Sequence, residues 1–382
     1  MPPIIIDDVF CYRGSNYLRM RLLLSTLSGR SVKIEGIRNK ETDPGLKDYE
    51  VNLIRLLDKI TNGTKVELGE TGTTLFFQPG ILIGGHVTHT CCTQRGIGYY
   101  LEVLLALGPF CKEPLNAVLQ GVTHSELDVS VDKLKAAALP ILLKFILVDD
   151  GLDLKVVRRG APPLGGGEVV FKCPVQRHLR PLHWKEWGLV QRIRGVVYAL
   201  RVSPTMANRV VDAAKGVMLK FLPDVYINTD QCQGPNAGSS PGYGISLVAE
   251  TNDKTVYCAE SQSAESGSDA ILSPEDVGRE CALKLLDEIH RGGTVDSSFQ
   301  WLAALWMALG QKDVSQCVIG HPSEYTKMIL RHLKDFFGVM FKLDVQWAEE
   351  ADSSDEEEYS TPHKMKLTCV GIGYVNISRR TL

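Results

Sequence analysis

The chain has no run of about 18 apolar residues, the length a membrane-crossing helix needs. Its longest apolar stretches, Ala136 to Leu142 and Trp301 to Leu309, are too short or too mixed. It also has little surplus charge. Forty-two Lys+Arg against 45 Asp+Glu leave a net charge of −3, so no chain-wide basic field draws it to nucleic acid or an anionic membrane. A local basic groove is still allowed. The opening Met-Pro-Pro-Ile-Ile-Ile-Asp-Asp lacks the basic region of a signal peptide, and an intracellular location is expected. None of the 10 cysteines forms a C-x-x-C pair, which argues against a zinc ribbon or a thioredoxin-like motif. These scattered thiols, the vicinal Cys91-Cys92 included, read as reduced, buried small hydrophobes. Walker A, H-E-x-x-H, G-x-S-x-G and G-x-G-x-x-G motifs are all missing. Gly165-Gly166-Gly167 stands alone and reads as a tight turn rather than a phosphate cradle.

What is present is ordinary globular composition, 44% hydrophobic and 23% charged over 382 residues, enough for about two or three domain-sized units. One pattern recurs three times: a helix ending at glycine, a strand, a second glycine, then a polar loop opening another helix. The helices end at Gly29, Gly108 and Gly310, and the second glycines are Gly36, Gly121 and Gly320. The helices that follow are expected at Leu46 to Ile60, Ser130 to Leu143 and Ser323 to Phe337. The glycine intervals are 85 and 199 residues. A unit of about 90 residues leaves an extra block inside the second interval. The expected fold is therefore α+β, with three repeated two-helix/four-strand units over 1–181 and 285–382. A small α+β domain is inserted at 182–284.

Two polar segments interrupt this pattern. Residues 349–358 carry seven carboxylates and no base. Strand-like alternation on either side suggests a long hairpin loop, with Ser353 and Ser354 as candidate phosphorylation sites. Ser261 to Ser273 is rich in Ser, Glu and Gly and ends in Ser273-Pro274-Glu275-Asp276, a helix start running to about His290.

From Lys172 to Arg209 there are eight bases and one acid, Glu186, interleaved with Trp184, Trp187 and Tyr198. Arginine with aromatics suits phosphate contact and base stacking; a solvated polar face has the same composition. Lys155 to Gly160 is a second basic spot. A third lies at Lys327, Arg331 and Lys334, which share one helical face. Arg331, His332 and Lys334 are candidates for RNA cleavage, since facing cations clamp a phosphodiester and an imidazole moves a proton.

The residues then resemble a known family, the RNA 3′-terminal phosphate cyclases, and within it a cyclase-like branch associated with small-subunit ribosome biogenesis. The resemblance covers about 11 to 376. It rests on Leu18-Arg19 with Leu22 to Gly29, Ile37-Arg38 with Pro44-Gly45-Leu46, Gly72 to Gly80, Gly165 to Val169 and His321-Pro322-Ser323. Arg201 to Pro204, Met206 to Arg209 and Ser240 to Gly244 are typical of the branch. The resemblance implies the repeat-plus-insert fold. It also implies a chemistry in which a histidine takes AMP from ATP and passes it to an RNA 3′-phosphate, whose 2′-hydroxyl closes a ring.

The departures from that pattern are specific. The family reads His-Pro-Ser-x-His, with the second His as nucleophile; here the position is Tyr325. An imidazole forms a labile phosphoramidate, whereas a phenol with a pKa of about 10 is a poor nucleophile at neutral pH. The N-terminal acidic glycine-rich loop is replaced by Tyr12-Arg13-Gly14-Ser15-Asn16. Glu41 stands at an arginine position, Tyr49-Glu50 at a Gln-His pair, and Trp301-Leu302 at an Asp-Gln pair. Arg19 and Arg38 are retained, and Arg95 is added at a family glycine. A pocket is expected that has lost ATP chemistry and still binds an anion or RNA through Arg19, Arg38 and Arg95. With these departures from the family pattern, no metal and no cofactor are expected. The resemblance further implies a nuclear, nucleolar factor in 18S rRNA maturation that meets a large nucleolar GTPase, pre-rRNA and the U3-containing processome, away from membranes. An endoribonuclease built on Arg331, His332 and Lys334 is the alternative.

Overall fold

A computed structural model describes residues 3–6, 9–234, 237–264, 272–346 and 363–376. The acidic stretch with Ser353 and Ser354, and residues 265–271, lie outside the described residues. The chain is a mixture of helices and mixed sheets. Its helices are α1 (Leu18–Ser28), α2 (Asp48–Ile60), α3 (Ile97–Leu107), and α4, which runs Val131–Lys133 and Leu139–Phe145 through a widened turn at Leu134–Ala138. They continue with α5 (Pro204–Met218), α6 (Pro274–Arg291), α7 (Gln300–Leu309) and α8 (Glu324–Phe337).

Local chemistry sets their ends. Ser130, Ser273 and Ser323 cap α4, α6 and α8 by accepting the amide hydrogens of Lys133, Asp276 and Thr326. Gly29 and Gly338 close α1 and α8 with φ of +73° and +71°, the left-handed turn that glycine adopts without a Cβ penalty.

Three sheets share one strand order. In the first, Val9–Arg13 runs parallel to Val32–Glu35, followed by antiparallel Leu75–Gln78 and Lys65–Leu68, with Ile4–Ile6 added at the edge. In the second, Gly84–Thr90 runs parallel to Glu113–Gly121, followed by Gly167–Cys173 and Asp153–Arg158. In the third, His183–Trp184 runs parallel to Val314–Ile319, followed by Lys364–Val370 and Lys342–Gln346. Parallel neighbours need a crossover. Helices α1 and α3 lie in the crossovers of the first two sheets, whereas the third sheet's crossover holds a whole further sheet. The helices bury one large core. Within it α3 and α7 are fully enclosed and apolar all round but for Glu102 and Gln300.

The intervening sheet has the order Val225–Cys232, Val190–Leu200, Gly242–Thr251, Val256–Gln262. Helices α5 and α6 pack with it around a separate core that includes Val197, Val210, Leu247 and Leu285. Two expected boundaries differ from this arrangement. The 284/285 boundary falls inside α6, because the helix keeps burying Leu285 against this core and stops only at Gly292. The 181/182 boundary precedes His183–Trp184, which pairs with Gln316 and Cys317 of the third sheet.

Charge ties the second sheet to the intervening one. Arg159, 6% exposed, donates to Asp230 at 2.6 Å and to Asp132 at 2.5 Å. His124 meets the same Asp132 at 2.8 Å and stacks on Tyr198. The Gly165–Gly167 run follows a turn at Pro162–Leu164 and leads into the strand at Gly167: the Gly165 amide bonds back to the Ala161 carbonyl, and the Ser239 amide donates to the Gly165 carbonyl.

Candidate functional site

The retained and added arginines converge on one aromatic seam. Arg19 projects from α1, Arg38 follows the second strand, and Arg95 precedes α3. The Arg19 guanidinium lies over the rings of Tyr99 and Tyr325, 4.9 and 5.7 Å from their centroids. Arg95 covers the other side of the seam, 4.6 Å from Tyr99 and 5.2 Å from Tyr49. Arg38 donates to the Tyr49 hydroxyl at 3.4 Å. Tyr49 and Tyr99 meet edge to face. Such contacts of cation on ring suit partly desolvated arginines. Tyr17 and Arg38 both hold left-handed backbone, φ +60° and +46°. Non-glycine residues pay strain for this, and such strain clusters at functional sites.

The arginines are not free cations. Arg19 pairs with Glu102 at 2.5 Å, Arg38 grips Glu50 with two bonds of 2.7 Å, and Arg95 grips Asp128 with bonds of 2.8 and 2.5 Å. Two-pronged guanidinium–carboxylate pairs are among the strongest neutralising contacts in proteins. Burial works against the charge on Arg19, yet Glu102 holds its pKa above the ordinary value. Glu50 has a second task, since its carboxylate also accepts the Lys47 amide at the start of α2. The expected anion-binding arginines are therefore brought together, but each already holds an acid.

Tyr325 sits at the start of α8, its hydroxyl 3.5 Å from Arg19 Nη2. Trp301 meets its ring edge-on at 5.5 Å, and Tyr17 lies 6.0 Å away. Burial raises the Tyr325 pKa, with Arg19 opposing. The phenol is therefore protonated at neutral pH and a weak nucleophile. His321, by contrast, is exposed in the turn before α8, where its carbonyl accepts from Gln300.

The cleavage constellation does not assemble. Arg331 and Lys334 point to solvent from α8, while His332 is 1% exposed and faces the core against Tyr12 and Tyr17. Residues one and two apart on a helix do not share a face, so the imidazole is turned away from both cations. Burial, then Arg21, pushes the His332 pKa down to about 4, and the ring is neutral. Lys327, expected on the same basic face, is paired with Glu324 at 2.6 Å.

Of the eight bases in the expected stretch from Lys172 to Arg209, three are neutralised by acids and one is held by carbonyls. Arg192 pairs with Glu250, Arg194 with Asp224 and Arg209 with Glu275, and Arg180 hydrogen-bonds the last carbonyls of α4. These acids come from distant strands and helices, which a count along the sequence does not see. Glu102 and Asp128 were missed for the same reason. Glu102 had left a signal as the one acid in an otherwise apolar helix. Among the described residues no group of three or more His, Cys, Asp or Glu side chains is placed to hold a metal ion, and no helix is long and apolar enough to cross a membrane.

Comparison with known proteins follows the same lines. A family model described as RNA 3′-terminal phosphate cyclase matches residues 10–343. The chain is 56% identical over 386 residues to a probable RNA 3′-terminal phosphate cyclase-like protein of Drosophila melanogaster, covering 100% of each. It is 54% identical over 369 residues to the human RNA 3′-terminal phosphate cyclase-like protein, covering 96% of this chain and 97% of that one. It is 44% identical over 372 residues, 97% of each, to the rRNA processing protein rcl1 of Schizosaccharomyces pombe.

Proposed function

This chain belongs to the RNA 3′-terminal phosphate cyclase family, and from that premise we propose that it is a non-cyclising factor in rRNA processing. The observation that carries the reading is the occupied catalytic position. Tyr325 stands where the family resemblance calls for the nucleophilic histidine, protonated and wedged between Arg19, Tyr17 and Trp301. The surrounding arginines are spent on Glu102, Glu50 and Asp128. A pocket built this way holds no poised nucleophile and presents no unpaired guanidinium to a triphosphate. It acts as a joint between α1, α2, α3 and α8, and the anion or RNA contact expected of Arg19, Arg38 and Arg95 falls to other surfaces.

The similarity to an rRNA processing protein supports the process. In this reading the chain works in the nucleolus on pre-rRNA toward 18S rRNA, within the U3-containing processome and beside a large GTPase, as its branch of the family implies. The common strand order of the three sheets supports descent from a repeated unit, with the block around Val190–Gln262 as the insertion.

Two measurements test the proposal. Incubation of the purified protein with radiolabelled ATP is expected to leave it unlabelled; a covalent nucleotidyl adduct on Tyr325 or His321 would restore the enzyme. Depletion in cells is expected to deplete mature 18S rRNA and accumulate its precursors while 28S persists. Normal 18S levels after full depletion would end the rRNA-processing reading.

A further inference from the structure

With the pocket arginines neutralised, the third sheet offers two neighbouring lysines that form no ion pair among the described residues. The third sheet turns Cys317, Ile319, Leu367 and Cys369 into the core, each 3% exposed or less. Strand side chains alternate, so the residues between them form the outer face, on which Val318, beside Lys366, is nevertheless covered at 1% exposure. Register sets His183, Gln316 and Thr368 side by side there, with Lys366 and Lys364 following along the last strand. All are exposed or half-exposed. Lys342 also lies on this face, paired at 3.0 Å with Asp344, which stands opposite Lys366 in the register and leaves Lys364 as the cation farther from it. Lys364 and Lys366 have no carboxylate partner among the described residues.

Lys364 is unusual in a second way. Its ammonium stands 4.5 Å above the ring of Trp187, and burial lowers its pKa. A partly desolvated ammonium with no carboxylate partner among the described residues is a ready partner for an incoming anion. Two lysines two residues apart on a strand stand about 7 Å apart, far enough to meet separate phosphates. Gln316 and Thr368 supply neutral hydrogen-bonding groups beside them. Next to the face is a groove of about 430 Å³ lined by Lys144, His183, Lys185 and two acids, Glu186 and Asp253. Those acids make the groove itself a poorer anion site than the sheet.

We propose that the outer face of the third sheet, centred on Lys364 and Lys366 with His183, Gln316 and Thr368, binds the phosphodiester backbone of single-stranded RNA. The proposal rests on the rRNA-processing reading for the identity of the polyanion and shares no residue with the arginine seam.

The test is fluorescence anisotropy of the full chain with labelled oligouridylate, titrated across salt. The Lys364→Gln/Lys366→Gln variant is compared with Lys342→Gln, whose ammonium already has an acid. Thermal melts check that both variants fold. Single-strand binding loses about 0.7 in the slope of log K against log salt per phosphate contact. The double variant is therefore expected to flatten the slope by about 1.4 and to weaken low-salt affinity by roughly tenfold or more, with a smaller change for Lys342→Gln. If the wild-type chain binds and the double variant matches it in affinity and slope, the sheet face is not the site, while the rRNA reading stands. If the wild-type chain binds neither oligouridylate nor a pre-rRNA fragment, direct RNA contact fails and this proposal with it. If polyglutamate binds the wild-type chain and loses affinity in the double variant while RNA affinity holds, the face recognises acidic polypeptide and the proposal is overturned.

Discussion

His332 shows how one position decides between two chemistries. Read along the helix it is a proton carrier between two cations; in the fold it is a neutral ring whose two nitrogens lack hydrogen-bond partners in the core. Its folded pKa of about 4 lies below the usual value for an exposed imidazole, so the unfolded chain binds a proton that the folded chain refuses. Stability is then complete above about pH 6.5 and falls as the pH drops toward 4, by up to about 3 kcal/mol from this residue alone. His89, held low mainly by burial, adds a loss of the same sign. Urea unfolding at pH 7 and pH 4.5 should show this decline, and His332→Leu should remove His332's share of it. An equal pH dependence in the variant would mean that the ring is hydrated or partnered in solution. The arginines were legible as a group, because the family pattern marks Arg19 and Arg38 and the departure from it marks Arg95. Their acids were not, since Asp128 is 33 residues from Arg95 along the chain and nothing local announces the pair.

At the scale of elements, ends were easier to read than neighbours. Ser273-Pro274 and Ser323 announce α6 and α8 through a hydroxyl that satisfies an amide of the first turn. The element α3 carries the clearest stability prediction. Glu102 is buried in it and answers Arg19 of α1. Glu102→Gln leaves that guanidinium without its counter-charge and should cost about 3–5 kcal/mol, read as a lower urea midpoint. The double variant Arg19→Leu/Glu102→Leu should recover most of that loss, because the penalty lies in the unpaired charge. Failure to recover would mean that the pair shapes the seam by packing with Tyr99 as well. Sheet order was beyond the periodicity of the sequence: alternation identifies a strand but not which edge it joins. The end of α6 near His290 was legible, but the inserted block was drawn to stop at 284, inside that helix, because the glycine pattern counts units whereas Leu285 follows the core it packs in.

At the scale of the whole molecule, the charge network around Arg159 joins two bodies with separate cores. Burial alone would raise the Asp132 pKa, but His124 and Arg159 hold it well below the ordinary carboxylate range. Its contribution is present above the unfolded pKa of about 3.9 and is lost as the pH falls below it. Asp132→Ala should strand Arg159 beside Asp230 alone and loosen the junction by about 3 kcal/mol. Hydrogen exchange should then speed up at Thr123 and Gly160, whose amides bond across this region, while the strand Gly242–Thr251 keeps its protection. Uniform loss of protection in both bodies would show that they fold as one cooperative unit.

The path of the third sheet has a consequence for the order of events during synthesis. Its first strand, His183–Trp184, leaves the ribosome long before the partner at Gln316 and Cys317 exists. The first two sheets and the intervening body can each close as their own strands emerge, since domains fold as units from the N-terminal end. The face of the core that α7, α8 and the last two strands cover must wait, with Trp184 unpaired and apolar surface open. A chain released before Lys364–Val370 would thus be a predictable client for chaperones, and quality control at this late step would decide how much of the protein is made.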